Sequence, residues 1–184
     1  MKTKQRINFA NLSTAMTYFE LFELPVQLKV NTASLSKKFF ELSRRFHPDH
    51  FAGDNEAAQE EALQKSALLN KAWKTFQNTD ATIKYVLQEK GLLQEEEKYE
   101  LPPDFLMEVL EINEQLMEMD ETSNRDQLFS VISQLSADIY ESVKKIVEDY
   151  TESAVTEKEL LQVKEYYYKK KYLDRIHRQL TGMT

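Results

Sequence analysis

The sequence predicts an all-α protein, an N-terminal helical hairpin followed by a C-terminal three-helix bundle. Three observations lead there. The 184 residues include only 3 Gly and 4 Pro, too few for a turn-rich β architecture, while 41% apolar and 30% charged residues suit long amphipathic helices. Apolar residues recur at spacings of three and four through most of the chain. The prolines fall between the periodic stretches, where they stop helices.

Composition also excludes function classes. A net charge of −7 argues against nonspecific binding to nucleic acid or an anionic membrane. With no cysteine the chain has no disulfide, no thiol nucleophile and no thiolate-held metal cluster, which fits a reducing compartment. No stretch approaches the ~20 apolar residues that a membrane span needs. Residues 1–16 carry Lys2, Lys4 and Arg6 without an acid and lack the apolar core of a secretory signal. They match a transit peptide poorly and are read as a flexible N-terminus.

Tyr18 to Leu24 is dense in aromatics and is followed by Pro25, which predicts a short buried helix. Asn31 or Thr32 can cap the next helix. In it Leu35, Phe39, Leu42 and Phe46 form one apolar stripe. Its other faces carry Lys37, Lys38, Arg44 and Arg45, with Glu41 the one acid between Ala33 and Phe46. His47-Pro48-Asp49-His50 follows. Pro48 biases His47 out of the α region and cannot continue the helix, so His47 and Asp49 should stand on an exposed loop. Phe51 to Asn55 is turn material, with Asp54 or Asn55 available as a cap. A second long helix runs from about Glu56 to Gln77, its core stripe Ala58, Ala62, Leu63, Ser66, Leu69, Ala72, Trp73 and Phe76. The small residues at 58, 62 and 66 would let it approach its neighbour closely. Thr82 to Gly91 reads as a further short helix ending at glycine.

On periodicity alone the basic face is a solvated surface, and the tripeptide alone is an ordinary turn. Together, a basic amphipathic helix, His-Pro-Asp and a second helix resemble a J-domain. The segment Leu69-Asn70-Lys71-Ala72-Trp73 is similar to that family's Ile-Asn-x-Ala-Tyr/Trp, which makes Trp73 a core residue. Where many members carry a proline and an arginine before the Tyr85 position, this chain has Thr79 and Thr82. The resemblance implies that His47, Pro48 and Asp49 contact an Hsp70-type chaperone and stimulate its ATP hydrolysis. It also implies that Lys37, Lys38, Arg44 and Arg45 dock on an acidic patch of that partner.

Gln94 to Glu100 is acidic, and Pro102-Pro103 follows. The expected division is therefore a first domain over 17–92, a linker over 93–100 and a second domain over 101–184. The second half holds three helical patterns, Asp104 to about Asp120 with Asp104 as cap, Asn124 to about Tyr150, and Thr156 to about Leu180. The turns between them are Thr122-Ser123-Asn124 and Thr151-Glu152-Ser153, short enough for antiparallel neighbours in a bundle. Leu128, Val131, Ile132, Leu135, Ile139, Val143 and Ile146 form the stripe of the middle helix. Leu160, Val163, Tyr167, Leu173, Ile176 and Leu180 form that of the last.

The first of these helices has more apolar residues than one stripe requires. Phe105, Val109, Ile112 and Leu116 share a face. Leu106, Leu110 and Met117 lie beside it, and Met107, Glu111, Glu114 and Glu118 line a third side. The helix either buries a wide face or displays an apolar patch bordered by carboxylates, a common look for an interaction surface.

Phe-Leu-Met-Glu-x-Leu-Glu opening a three-helix bundle behind a J-domain resembles the HscB family, and the similarity runs from about Tyr18 to the end of the chain. The resemblance implies a J-domain co-chaperone of iron–sulfur cluster assembly that stimulates a specialised Hsp70 of HscA type and delivers to it the scaffold protein IscU. Scaffold-binding positions of the family fall here on Leu106, Met107, Leu110, Glu111, Glu114, Glu118 and Tyr172. The cysteine-rich module that eukaryotic members often add is absent from this sequence.

Enzyme readings find no support. His47 and Asp49 lack a serine partner and an oxyanion loop. His47 and His50 with one aspartate make no specific metal signature. No glycine-rich phosphate loop and no Glu-x-x-His pair occurs. The expectation is a non-enzymatic regulator of a partner ATPase, without cofactor or metal, binding neither nucleic acid nor membrane. It is expected to be monomeric and cytoplasmic, with the mitochondrial matrix as the alternative location. The competing reading is a general J-domain co-chaperone whose bundle binds a different client.

Overall fold

The computed structural model describes residues 16–53, 55–118 and 125–182, which are helical with no strand among them. The flexible stretch expected over 1–16, Met16 apart, lies outside the described residues, as do Asp54 and the turn Thr122-Ser123-Asn124. The structure divides into two compact units, one through Pro25 with Asn31–Lys74, the other Val26–Val30 with Thr75 onward.

In the first unit, α1 (Tyr18–Phe22) starts in a capping box. Thr17 Oγ1 accepts from the Glu20 amide at 3.1 Å, and the Glu20 carboxylate accepts from the Thr17 amide at 2.7 Å. It ends at Glu23, held in the left-handed region at φ 54°. The Glu23 carboxylate accepts from Lys38 Nζ at 2.6 Å, tying α1 to α2 (Thr32–Arg45). Of the two candidate caps for α2, Asn31 does the work, accepting from the Ala33 and Ser34 amides. Leu35 and Leu42 are buried in α2. Phe39 is half-buried and stacks on Trp73 of α3 (Glu56–Phe76), centroids 4.5 Å apart, so Trp73 is a packing residue.

Two expectations for α3 fail. Leu63 is exposed rather than core. The small residues near its start do not close the helices together. Ala58 and Ala62 instead line a groove of about 230 Å³ with Phe46, Phe51 and Lys65.

In the second unit, α4 (Thr79–Glu89) begins three residues before the expected Thr82. Asn78 caps it, accepting from the Ala81 amide at 2.9 Å. Thr82 is fully buried, its hydroxyl within donating distance of the carbonyls of Asn78 (2.9 Å) and Thr75 (3.1 Å). The helix ends as expected at Gly91, whose φ of +70° lets Leu92 N–H return to the Leu87 carbonyl.

The expected boundary at 93–100 is not where the compact units divide. α4 packs on α8 (Glu157–Thr181), with Tyr166 Oη donating to Asp80 at 2.7 Å. The acidic stretch is held on α8 too. Glu97 accepts from Lys164 Nζ at 2.5 Å, and Tyr99 stacks on Tyr168 at 4.4 Å. Residues 26–30 join this unit through buried Leu28 and the Lys29–Glu148 ion pair at 2.7 Å.

The remaining helices are α5 (Pro103–Glu118), α6 (Arg125–Glu141) and α7 (Lys144–Glu148). Pro103 opens α5 at its first position, so Asp104 sits in the first turn rather than capping. The single helix expected from Asn124 to Tyr150 is broken at Ser142–Val143. Ser142 Oγ donates to the Ile139 carbonyl at 2.7 Å, the acceptor that Val143 N–H would use in a continuous helix, and Val143 N–H turns to Tyr140 instead. After the break Val147 rather than Ile146 is buried; ahead of it, in α6, Val131 is exposed rather than core. In α8, Tyr166 takes the core position expected of Tyr167, which keeps the heptad step to Leu173.

Candidate functional site

The His47-Pro48-Asp49 segment forms a loop that enters a 3₁₀ turn, Pro48–Phe51, with Pro48 at its first position. His47 is extended (φ −65°, ψ 127°), as the following proline requires. Its Nδ1 accepts from the Asp49 amide at 3.3 Å and lies 3.5 Å from Asp49 Oδ2. His47 therefore caps an amide rather than a carbonyl. Both side chains face solvent, 53% and 87% exposed.

On α2, Lys37, Arg44 and Arg45 are exposed. The Arg45 guanidinium lies 5.4 Å from the centre of the Phe46 ring. Lys38 differs from its neighbours. It is half-buried between Glu23 and Glu41, and its hydrogen bond to Glu23 raises its pKa and lowers that of Glu23. Three cations of this face are thus open to a partner, while Lys38 helps to hold α1 on α2.

On α5 the two readings separate. Phe105, Val109 and Ile112 are buried. Leu106, Met107, Leu110 and Met117 are 43, 69, 55 and 78% exposed. Glu111, Glu114 and Glu118 are exposed along the same side as Met107. An apolar stripe rimmed by three carboxylates therefore faces solvent. Tyr172 of α8 adjoins it. Asn113, between Leu110 and Met117 on the stripe, donates from Nδ2 to Tyr172 Oη at 3.4 Å and to the Val109 carbonyl at 2.8 Å. The Tyr172 ring meets the Phe105 edge at 6.2 Å and lies under Arg175 at 4.4 Å.

One feature beside Tyr172 escapes the residue-by-residue reading of the sequence. Glu97, Tyr99, Leu101, Tyr168, Tyr172 and the cations of α8 enclose a cleft of about 400 Å³. Burial pushes the Tyr168 hydroxyl up to about 12, with Glu97 adding to the effect. The signal available in the sequence was the spacing of Lys171, Arg175 and Arg178, which puts three cations on one side of α8.

A helical hairpin with a basic second helix and a His-Pro-Asp turn, ahead of a helical bundle, defines a co-chaperone of the J-domain class. Comparison with known proteins is more specific. Residues 101–181 match the family model described as the HSCB C-terminal oligomerisation domain. A co-chaperone protein HscB homolog of Photobacterium profundum is 37% identical over 129 residues, covering 69% of this chain and 75% of that protein. Chaperone HscB from Vibrio cholerae superposes with a TM-score of 0.69 at 25% identity, over 91% of this chain and 96% of that one. The crystal structure of human co-chaperone protein HscB gives 0.75 at 25% identity, over 92% and 82%. The chain belongs to the HscB family of co-chaperones.

Proposed function

We propose that this chain bridges an Hsp70 of HscA type and an iron–sulfur scaffold protein of IscU type. His47, Pro48 and Asp49, with the open cations Lys37, Arg44 and Arg45, dock on the ATP-bound Hsp70 and trigger hydrolysis there. No residue of this chain takes part in the bond-breaking step. Leu106, Met107, Leu110, Glu111, Glu114, Glu118 and Tyr172 hold the scaffold. Joining two modest interfaces in one chain raises the effective concentration of client at the chaperone. The proposed setting is the cytoplasm, and the proposed working form is a monomer.

The observation that carries this reading is the exposure of Leu106, Met107 and Leu110 beside a carboxylate rim, on a helix whose opposite face is already buried in its unit. An apolar stripe left in water is unfavourable unless a partner covers it. The test is calorimetric titration of an IscU-type scaffold into the wild-type chain and into Leu106→Ala/Met107→Ala/Leu110→Ala. The expected result is loss of binding with the helical circular dichroism retained. A variant that binds as tightly as wild type would refute the scaffold site. A fully binding-competent Hsp70 interaction without any scaffold affinity would instead favour a different client.

A further inference from the structure

We infer that the cleft between the 97–101 segment and α8 is a second contact site for the client, one that takes an acidic, extended segment. The inference rests on the scaffold reading above, and it adds a region that the apolar stripe does not include. Its basis is charge. The cleft is lined by Lys98, Lys171, Arg175 and Arg178. Among the described residues none of the four lies within ion-pair distance of a carboxylate, whereas Lys164, Lys169 and Lys170 of the same helix pair with Glu97, Glu165 and Asp174. The one acid in the lining, Glu97, is already held by Lys164 and by Tyr168 Oη at 3.3 Å. Their remaining contacts are with neutral groups: Lys171 and Arg175 lie over the Tyr168 and Tyr172 rings, and Arg178 Nε donates to the Asp174 carbonyl, so the positive charge of the cleft stays uncompensated by these contacts. Like charges brought together in this way repel, and an anionic ligand relieves the repulsion.

The shape selects the class of anion. Lys171 and Arg178 are seven residues apart on α8, about 10 Å along the axis. Three residues of extended chain cover about 10 Å, the length of this row of cations along the helix. Tyr168 and Tyr99, stacked with their planes 2° apart, provide an apolar wall for the stem of such a segment. The cleft is also continuous with the stripe on α5, because Tyr172 lines the cleft and touches Asn113. A client seated on Leu106 and Leu110 therefore has the cleft within reach. The surface as a whole is bipolar, acidic beyond the stripe and basic behind Tyr172, which fixes the direction in which a client lies.

The test is scaffold affinity for the wild-type chain and for Lys171→Gln/Arg178→Gln, at about 50 mM and about 300 mM salt. Both substituted residues lie outside the apolar stripe. The expected result is about tenfold weaker binding at low salt, with the difference shrinking at high salt as the ionic contribution is screened. Equal affinities at both salt concentrations, with the α5 variant still defective, would overturn the cleft and leave the scaffold reading standing. If the wild-type chain does not bind the scaffold, that reading fails and the cleft is tested by itself. A labelled hexapeptide of alternating glutamate and leucine should then bind the wild-type chain and not the double variant at low salt. Absence of peptide binding, or its displacement by inorganic phosphate at low millimolar concentration, would overturn the acidic-segment assignment.

Discussion

Ile112→Ala and Leu110→Ala, two residues apart on α5, should behave in opposite ways. Ile112 is 3% exposed and Leu110 is 55% exposed. Each substitution removes three carbons. For Ile112 the transfer loss is about 2.4 kcal/mol at ~0.8 kcal/mol per methylene. The cavity left behind brings the total to roughly 3 kcal/mol or more. For Leu110 about half of the side chain is already in water, so the transfer loss is on the order of 1 kcal/mol with no enclosed cavity. Alanine's higher helix propensity returns a few tenths of that. Urea unfolding should therefore separate the two variants by about 2 kcal/mol, with Ile112→Ala the less stable. Scaffold binding should separate them the other way. Leu110→Ala weakens it about tenfold, and Ile112→Ala, measured where it remains folded, changes it little. Equal destabilisation by the two substitutions would mean that Leu110 is packed, and the reasoning about the stripe would fail.

Three further outcomes follow from the structure. His47→Gln should abolish Hsp70 stimulation. His47→Asn, which can keep an acceptor for the Asp49 amide, should leave the loop intact and still fail to stimulate; stimulation by the Asn variant would make His47 a cap and nothing more. Thr82→Val should cost about 1–2 kcal/mol in urea unfolding, because the hydroxyl between the Thr75 and Asn78 carbonyls is lost from a fully buried position; an unchanged midpoint would contradict that role. The carboxyl of Glu97 is held below its ordinary value of 4.5, first by its hydrogen bond to Lys164. Its contribution is complete above that value and disappears as pH falls through the lower folded one. The wild-type chain should lose stability below about pH 4.5 more steeply than Glu97→Gln, and parallel profiles would show that the pair contributes nothing.

Much of this was legible in the sequence because it depends on local rules. Proline at 48 dictates the extended His47, and the four–three spacing on α5 places Leu106, Leu110 and Met117 on one line whatever they touch. Whether that line was buried could not be read from spacing, since a wide core face has the same period. The break at Ser142 was hidden for a related reason. A serine hydroxyl competing for the Ile139 carbonyl leaves the apolar period almost unaltered. The contacts of α4 and of the acidic 93–100 stretch with α8 do not show in the sequence, because their partners, Tyr166, Lys164 and Tyr168, lie some seventy residues or more away along the chain. Spacing alone does not distinguish Lys38 from its neighbours, because its partner Glu23 lies outside α2.

The most direct test of the bridging account is single-turnover ATP hydrolysis by an HscA-type Hsp70, alone, with this protein, with an IscU-type scaffold, and with both. The account predicts that the two together accelerate hydrolysis by more than the product of their separate effects, and that His47→Gln removes the acceleration. Stimulation that the scaffold does not alter, or none at all, would contradict it.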